Sequence, residues 1–285
     1  MNYDCVAAFG CSFVEGAAIS GGKDLRHTDK ETKWVGEKHR FSKILAEHFS
    51  IPEINMAHSG FSNESILRRV YRFFKDSKEQ YKNPLVIVGT SGFTRKEVFS
   101  NFNQQSYDLH PLSPYFYDKK QYSKLKDVTK KFTGNENNTD KLKNFVEFQM
   151  KYFFNEDFEI EKLNWQISFL IGFLKSKNIA YVLFNSIDDY LTDELKDSSN
   201  YISFGKFNHY KDITINKSEI SYGANKDSWY SDINYKHVTE YGSWENGSRS
   251  QFEPYGKYSC GGHPSPGSHK NLANKILNYI NENNI

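Results

Sequence analysis

Four short apolar runs constrain the fold of this chain more than any other feature of its sequence. They cover residues 6–9, 54–57, 85–88 and 180–184, and each is followed within a few residues by glycine or by small polar side chains. Continuous apolar runs of this length, bounded by such residues, are typical of strands that are buried on both faces of a sheet. The four runs therefore predict a parallel sheet that is covered on both sides.

The segments between the runs carry helical periodicity. Residues 40–49 are predicted as one helix, Ser62 or Asn63 as the cap of a second, 145–174 as a long helical stretch, and 272–280 as a closing helix. Strands that alternate with helices indicate helices packed on both faces of the sheet. The predicted fold class is thus a three-layer α/β/α sandwich with a central parallel sheet.

The domain organisation follows from length and from where the aliphatic residues are missing. A chain of 285 residues allows one large domain or two small ones. Residues 100–138 and 186–258 are poor in aliphatic periodicity and rich in polar and aromatic side chains. We therefore predict a single domain, 1–285, that carries two insertions at about 100–138 and 186–258.

Charge and composition argue against several classes of partner and location. The 37 basic and 35 acidic side chains leave a net charge of +2, which predicts neither nucleic-acid binding nor attraction to an anionic membrane. No apolar run approaches the roughly 20 residues that span a bilayer, and the N-terminus lacks the features of a signal peptide. The three cysteines are too few for a disulfide scaffold. The expected location is the cytoplasm, and the oligomeric state stays open.

Three short blocks carry most of the chemistry-bearing residues, and each follows a strand or precedes the last helix. Gly10, Ser12 and Gly16 follow the first run, Gly60 follows the second, and His263 precedes Pro264 and the closing helix. In this order the blocks resemble those of the SGNH (GDSL-like) hydrolases. The resemblance implies a flavodoxin-like hydrolase fold, with Ser12 as nucleophile, His263 as general base and Gly60 as an oxyanion donor. The alternatives are an ordinary N-cap or turn serine at Ser12, a turn histidine before Pro264 at His263, and a turn glycine at Gly60.

Two departures from the family pattern leave an oxyanion donor and the orienting acid unassigned. Ser91 stands where the family usually has asparagine, so Asn63, Thr90 or Ser91 is expected to replace that donor. No aspartate stands just before His263, where the family usually has one. Asp188 or Asp189, after the fourth run, is a candidate acid, although a turn role is equally open.

The expected activity is hydrolysis of a small ester or an acylated carbohydrate by a Ser–His dyad or triad, without a cofactor. The alternatives are an acyltransferase on the same scaffold, or a non-catalytic glycan-binding or structural protein with a degenerate site. No metal site is expected, because His58, His263 and His269 do not have the spacing of a zinc site. Arg95 and Glu97 are predicted to form a structural ion pair at the start of a helix.

Overall fold

The computed structural model describes residues 2–16, 39–77, 80–111, 116, 122–186, 189–203 and 266–285. The strands are β1 (Cys5–Phe9), β2 (Glu53–Asn55), β3 (Pro84–Thr90), β4 (Lys96–Ser100), β5 (Gln105–Leu109), β6 (Tyr181–Asn185) and β7 (Tyr201–Ile202). The helices are α1 (Ser12–Glu15), α2 (Phe41–Phe49), α3 (Asn63–Asp76), α4 (Tyr122–Thr133), α5 (Thr139–Tyr152), α6 (Glu156–Ser176), α7 (Asp193–Asp197) and α8 (Pro266–Asn283). A turn of 3-10 helix, Glu136–Asn138, joins α4 to α5.

The main sheet has five parallel strands in the order β2-β1-β3-β6-β7. The four predicted strands form its first four positions, with boundaries that shift by at most two residues. The strand order reverses direction between β1 and β3, where Phe9 is in register with Val88. In open α/β sheets, ligands bind beyond the carboxyl ends of the strands at such a reversal. The fold thus identifies the loops after β1, β2 and β3 as the place to look for a site.

Two hydrophobic cores cover the two faces of the sheet. Side chains alternate along β1, so Val6 and Ala8 belong to the core formed with α2 and α8, whereas Ala7 and Phe9 belong to the core formed with α3 and α6. All five β1 residues are buried. The predicted three-layer α/β/α sandwich is confirmed by this two-sided burial.

The long helical stretch predicted for 145–174 is two helices. Asn155 separates them, and its side-chain oxygen accepts a hydrogen bond from Phe158 N (2.9 Å) as the N-cap of α6. An asparagine in this position satisfies one of the free backbone donors in the first turn of a helix. None of the described helices has the length and apolar character needed to cross a bilayer.

A separate hairpin, β4–β5, lies outside the main sheet. Its strands are antiparallel, with Lys96 opposite Leu109 and Ser100 opposite Gln105. Leu109 joins Phe116, Leu125 and Val146 in a third, small core. Three of these four residues lie in the range 100–138 that was predicted as the first insertion. Of the second predicted insertion, residues 189–203 hold α7 and the edge strand β7, and 204–258 lie outside the described residues.

Candidate active site

Ser12 is the first residue of α1 and follows β1 almost directly. Its residue is 7% exposed, and Cys11 and Val14 beside it are fully buried. The helix ends after one turn at Gly16, which adopts a left-handed conformation with a φ of 76°. Ser12 is therefore fixed at the carboxyl end of β1, beside the point where the strand order reverses.

Gly10 and Gly89 bring the ends of β1 and β3 close together behind Ser12. A Cβ atom on Gly10 would lie 2.7 Å from Val14 Cβ and 3.1 Å from the Gly89 carbonyl oxygen. A Cβ atom on Gly89 would overlap Ser186 Oγ and approach Val14 Cγ2 to 2.6 Å. Both glycines are thus required by close packing, which sets the backbone path that leads into Ser12.

A tight turn at His58–Phe61 follows β2. Phe61 N donates to His58 O (3.2 Å), and Gly60 in the third position has a φ of 90°. A hydrogen bond from the fourth residue to the first, with a positive φ at the third, is the geometry of a type II turn. The closing hydrogen bond does not use Gly60 N–H, which donates to no acceptor within the described part of the chain. Among the described residues, the turn therefore leaves the Gly60 N–H without an acceptor.

The turn is attached to both β1 and α1. His58 N donates to Gly10 O (3.1 Å), and Ser59 Oγ donates to Glu15 Oε2 (2.7 Å). His58 Nδ1 lies 3.4 Å from Glu15 Oε1, and the hydrogen bond to Glu15 raises the pKa of His58, although partial burial opposes the rise. The Gly60 turn and the helix that begins with Ser12 therefore share one hydrogen-bonded network. Glu15 and His58 were not predicted as members of the site.

Asn63, a predicted oxyanion donor, holds the loop after β3. Its Nδ2 donates to Ser91 O (2.9 Å), and its Oδ1 accepts from Ser91 N (2.8 Å). Ser91 Oγ accepts from Arg95 Nη1 (2.8 Å), and Thr90 Oγ1 donates to Phe184 O (3.4 Å). Asn63, Thr90 and Ser91 are all buried. The structure thus brings them together at the carboxyl end of β3, where each makes contacts that stabilise the loop.

The predicted ion pair between Arg95 and Glu97 is wrong. Glu97 pairs with Arg68 of α3, and Arg95 bonds Ser91 and the carbonyl of Phe61 instead. Glu97 also lies in strand β4 rather than at the start of a helix. Residues two apart in an extended segment point to the same side and could pair. Arg95, however, precedes strand β4 and turns back towards β3, so its side chain does not reach Glu97.

Asp189, a predicted acid, is 2% exposed and lies near the end of β6. Its Oδ1 accepts from Tyr201 Oη (2.9 Å) and lies 3.1 Å from Lys196 Nζ, and its Oδ2 accepts from Ser203. Burial and the negative charge of Asp189 raise the pKa of Tyr201. These bonds join β7 and α7 to the end of the sheet. The predictions for His263 and Asp188 lie outside the described residues.

Asp108 and His110, at the end of β5, also reach the Gly60 turn. Asp108 Oδ1 accepts from Ser62 N (2.7 Å), and His110 Nε2 is 2.8 Å from Gly60 O. Burial and the charge of Arg95 hold the pKa of His110 at about 3, and burial raises the pKa of Asp108. Neither residue was predicted as part of the site, because His110 follows β5 and the local sequence does not indicate a strand there.

Within the described ranges, no group of three or more His, Cys, Asp and Glu side chains has a geometry that could hold a metal ion. His269, which the sequence analysis considered as a ligand, is fully buried in the α2–α8 core, where its Nδ1 accepts a long hydrogen bond from Phe41 N (3.3 Å).

The chain was compared with protein families, curated proteins and solved structures. No family model and no curated protein matches it. It is similar in structure to an esterase, EstA, from Pseudoalteromonas sp., inhibited by monoethylphosphonate, with 10% identity, a TM-score of 0.42, and coverage of 98% of this chain and 97% of that one. It is also similar to a GDSL-like lipase from Parabacteroides merdae, with 8% identity, a TM-score of 0.40, and coverage of 99% and 97%.

Proposed function

We propose that this protein is a serine hydrolase that cleaves a small carboxylic ester, including an acyl group on a carbohydrate, with Ser12 as nucleophile. The observation that carries the proposal is the Gly60 turn. Its N–H, which has no acceptor among the described residues, lies in a loop that is hydrogen-bonded to the segment around Ser12, at the carboxyl ends of adjacent strands. Ester hydrolysis by a serine requires a hydrogen-bond donor that is already positioned for the oxyanion before the reaction begins.

In this mechanism Ser12 Oγ attacks the ester carbonyl and His263 accepts the serine proton. The carbonyl oxygen becomes an oxyanion, which the backbone N–H groups of Ser12 and Gly60 stabilise. His263 returns the proton to the leaving alcohol, and an acyl group stays on Ser12. Water, activated by the same imidazole, then releases the acid and restores the serine.

The other candidate site residues have supporting roles in this proposal. Asn63 fixes the backbone of Ser91, and Arg95 binds the Ser91 hydroxyl through its oxygen, so the hydroxyl proton remains available for donation. Asp189 already accepts from Tyr201 and Ser203 and pairs with Lys196. We therefore assign Asp189 to the scaffold in this proposal and place no carboxylate on His263.

Hydrolysis of short p-nitrophenyl esters by the full chain tests the proposal. Ser12→Ala and His263→Ala should each lower kcat by at least about 10³-fold, as removing members of such a dyad does elsewhere. A fluorophosphonate probe should label Ser12, as located by peptide mass. Ser176→Ala and His48→Gln, on the surfaces of α6 and α2, are the matched controls.

Three outcomes would overturn parts of the proposal. Equal, negligible activity in the wild type and both variants, with no probe on Ser12, rejects a serine hydrolase. Loss of activity in His58→Gln but not in His263→Ala moves the role of base to His58, which is already paired with Glu15. Product that accumulates only when an acceptor alcohol is added indicates an acyltransferase.

A further inference from the structure

The direction of the Gly60 N–H is set by the peptide group between Ser59 and Gly60. This peptide points in different directions in type I and type II turns. In type I and type II turns, ψ of the second residue differs by about 150°, which reverses the direction of the central peptide. In this turn the central peptide joins Ser59 to Gly60, so its N–H is the proposed oxyanion donor. Because glycine adopts positive and negative φ with similar ease, Gly60 alone does not select the type II form.

The β4–β5 hairpin contacts the turn just beyond this peptide. His110 Nε2 lies 2.8 Å from Gly60 O, and a carbonyl oxygen can only accept, so Nε2 carries the hydrogen. Asp108 Oδ1 accepts from Ser62 N at 2.7 Å. The two side chains lie two residues apart and reach the same loop. The hairpin therefore restrains the chain directly after the donor peptide.

The other side of the turn is restrained by α1. Ser59 Oγ donates to Glu15 Oε2 at 2.7 Å, one residue before the donor. With Gly60 O held by His110, the residues on both sides of the central peptide are restrained. Within the described part of the chain, a Cβ atom on Gly60 would meet only His110 Nε2, at 3.5 Å, so no close packing of the kind found at Gly10 and Gly89 fixes this residue. The hydrogen bonds of Ser59 and Gly60 are therefore the contacts that hold the turn in its type II form.

We propose that Asp108 and His110 are positioning residues that hold the Gly60 N–H in the orientation that binds the oxyanion. The proposal rests on the proposed function, since it needs Gly60 to act as an oxyanion donor. It also gives the hairpin, which lies outside the main sheet, a role in catalysis. The low pKa of His110 is consistent with this role, because the neutral imidazole persists at neutral pH.

The test compares His110→Phe, which retains a ring but has no donor, with His110→Gln, which retains an N–H donor. Loss of a whole oxyanion donor lowers kcat by about 10²–10³-fold, so a misdirected donor should lower it by about 10–100-fold. KM should change less than about threefold in His110→Phe. His110→Gln should recover at least about half of the lost activity on a logarithmic scale. Ser106→Ala, an exposed site on the same strand, is the control.

A folded His110→Phe variant with kcat within about twofold of wild type overturns the proposal, as does a change confined to KM or a failure of His110→Gln to restore kcat. If His110→Phe does not fold, as judged by circular dichroism, Asp108→Ala, which removes the acceptor for Ser62 N, replaces it, with an expected decrease in kcat of about 3–10-fold. A kcat for folded Asp108→Ala equal to that of wild type then rejects the proposal. Failure of the proposed function looks different, because the wild type itself would then show no turnover and no Ser12 adduct.

Discussion

His110 gives the protein a predictable loss of stability in acid. Burial is the main cause of its low pKa, and the positive charge of Arg95 adds to it, so the folded value is about 3 against about 6.5 for an unperturbed histidine. Between these values the unfolded chain binds a proton that the folded chain does not. Stability therefore falls as pH falls through 6.5, and this contribution is fully lost near pH 3.

The size of the effect follows from the two pKa values. Each unit corresponds to about 1.4 kcal/mol, so the full loss is about 5 kcal/mol. At pH 5 the unfolded imidazole is almost fully protonated and the folded one is neutral, so His110 alone lowers the free energy of unfolding by about 2 kcal/mol relative to pH 8. For a typical domain of marginal stability, this is a large fraction of the total.

Urea unfolding of the wild type and His110→Gln at pH 8 and pH 5 measures this contribution. The wild type should lose about 2 kcal/mol more than the variant between the two pH values, with unchanged m-values. Other titrating groups, including His58 with its raised pKa, are present in both proteins and cancel in the difference. Replacement of the exposed His48 by Gln is the matched surface control for the loss of an imidazole. Equal losses in wild type and His110→Gln, within about 0.5 kcal/mol, would refute the claim that the fold keeps this imidazole neutral.

Two substitutions test the close packing at Gly89 and the hydrogen bonds between Asn63 and Ser91. Gly89→Ala should destabilise the protein by about 3 kcal/mol or more in urea unfolding, because the new methyl group would overlap Ser186 Oγ. The control is Gly172→Ala, in open space on α6, which should be neutral or stabilising by up to about 1 kcal/mol. Equal effects of the two substitutions would contradict the packing argument. Asn63→Asp should cost about 2 kcal/mol, because a carboxylate oxygen replaces the donor to Ser91 O, and a variant as stable as wild type would show that this hydrogen bond contributes little.

The main sheet was predictable because each of its first four strands is indicated by a few consecutive residues. A run such as 85–88 is uniformly apolar, and this pattern alone indicates a strand buried on both faces. The cap of α3 was predicted as Ser62 or Asn63, and the structure selects Ser62, whose Oγ accepts from Ser65 N. Asn63 is then free to reach Ser91. The sequence pattern identified where the helix begins. Contacts with the rest of the fold determined that Ser62 is the cap and that Asn63 binds Ser91.

The hairpin and its contacts were not predictable from the same kind of signal. β4 and β5 are mostly half-exposed or exposed, with charged residues at Lys96, Glu97 and Asp108, so neither reads as a buried or clearly alternating strand. His110 and Gly60 lie 50 positions apart in the chain. Nothing in the local sequence around either residue indicates the other, because the contact depends on how the hairpin is placed against α3.

Glycines near the ends of β1, β2 and β3 look alike in the sequence, yet the structure separates them into two kinds. Gly10 and Gly89 lack room for a side chain, whereas Gly60 has room and needs its positive φ. A methyl group at Gly89 would therefore act on the spacing of the strands and so on stability. A methyl group at Gly60 would act on the direction of one N–H, at a conformational cost of about 1–2 kcal/mol. Of the three, only Gly60 combines open space with an unpaired donor among the described residues, so the oxyanion assignment rests on the turn after β2 rather than on glycine as such.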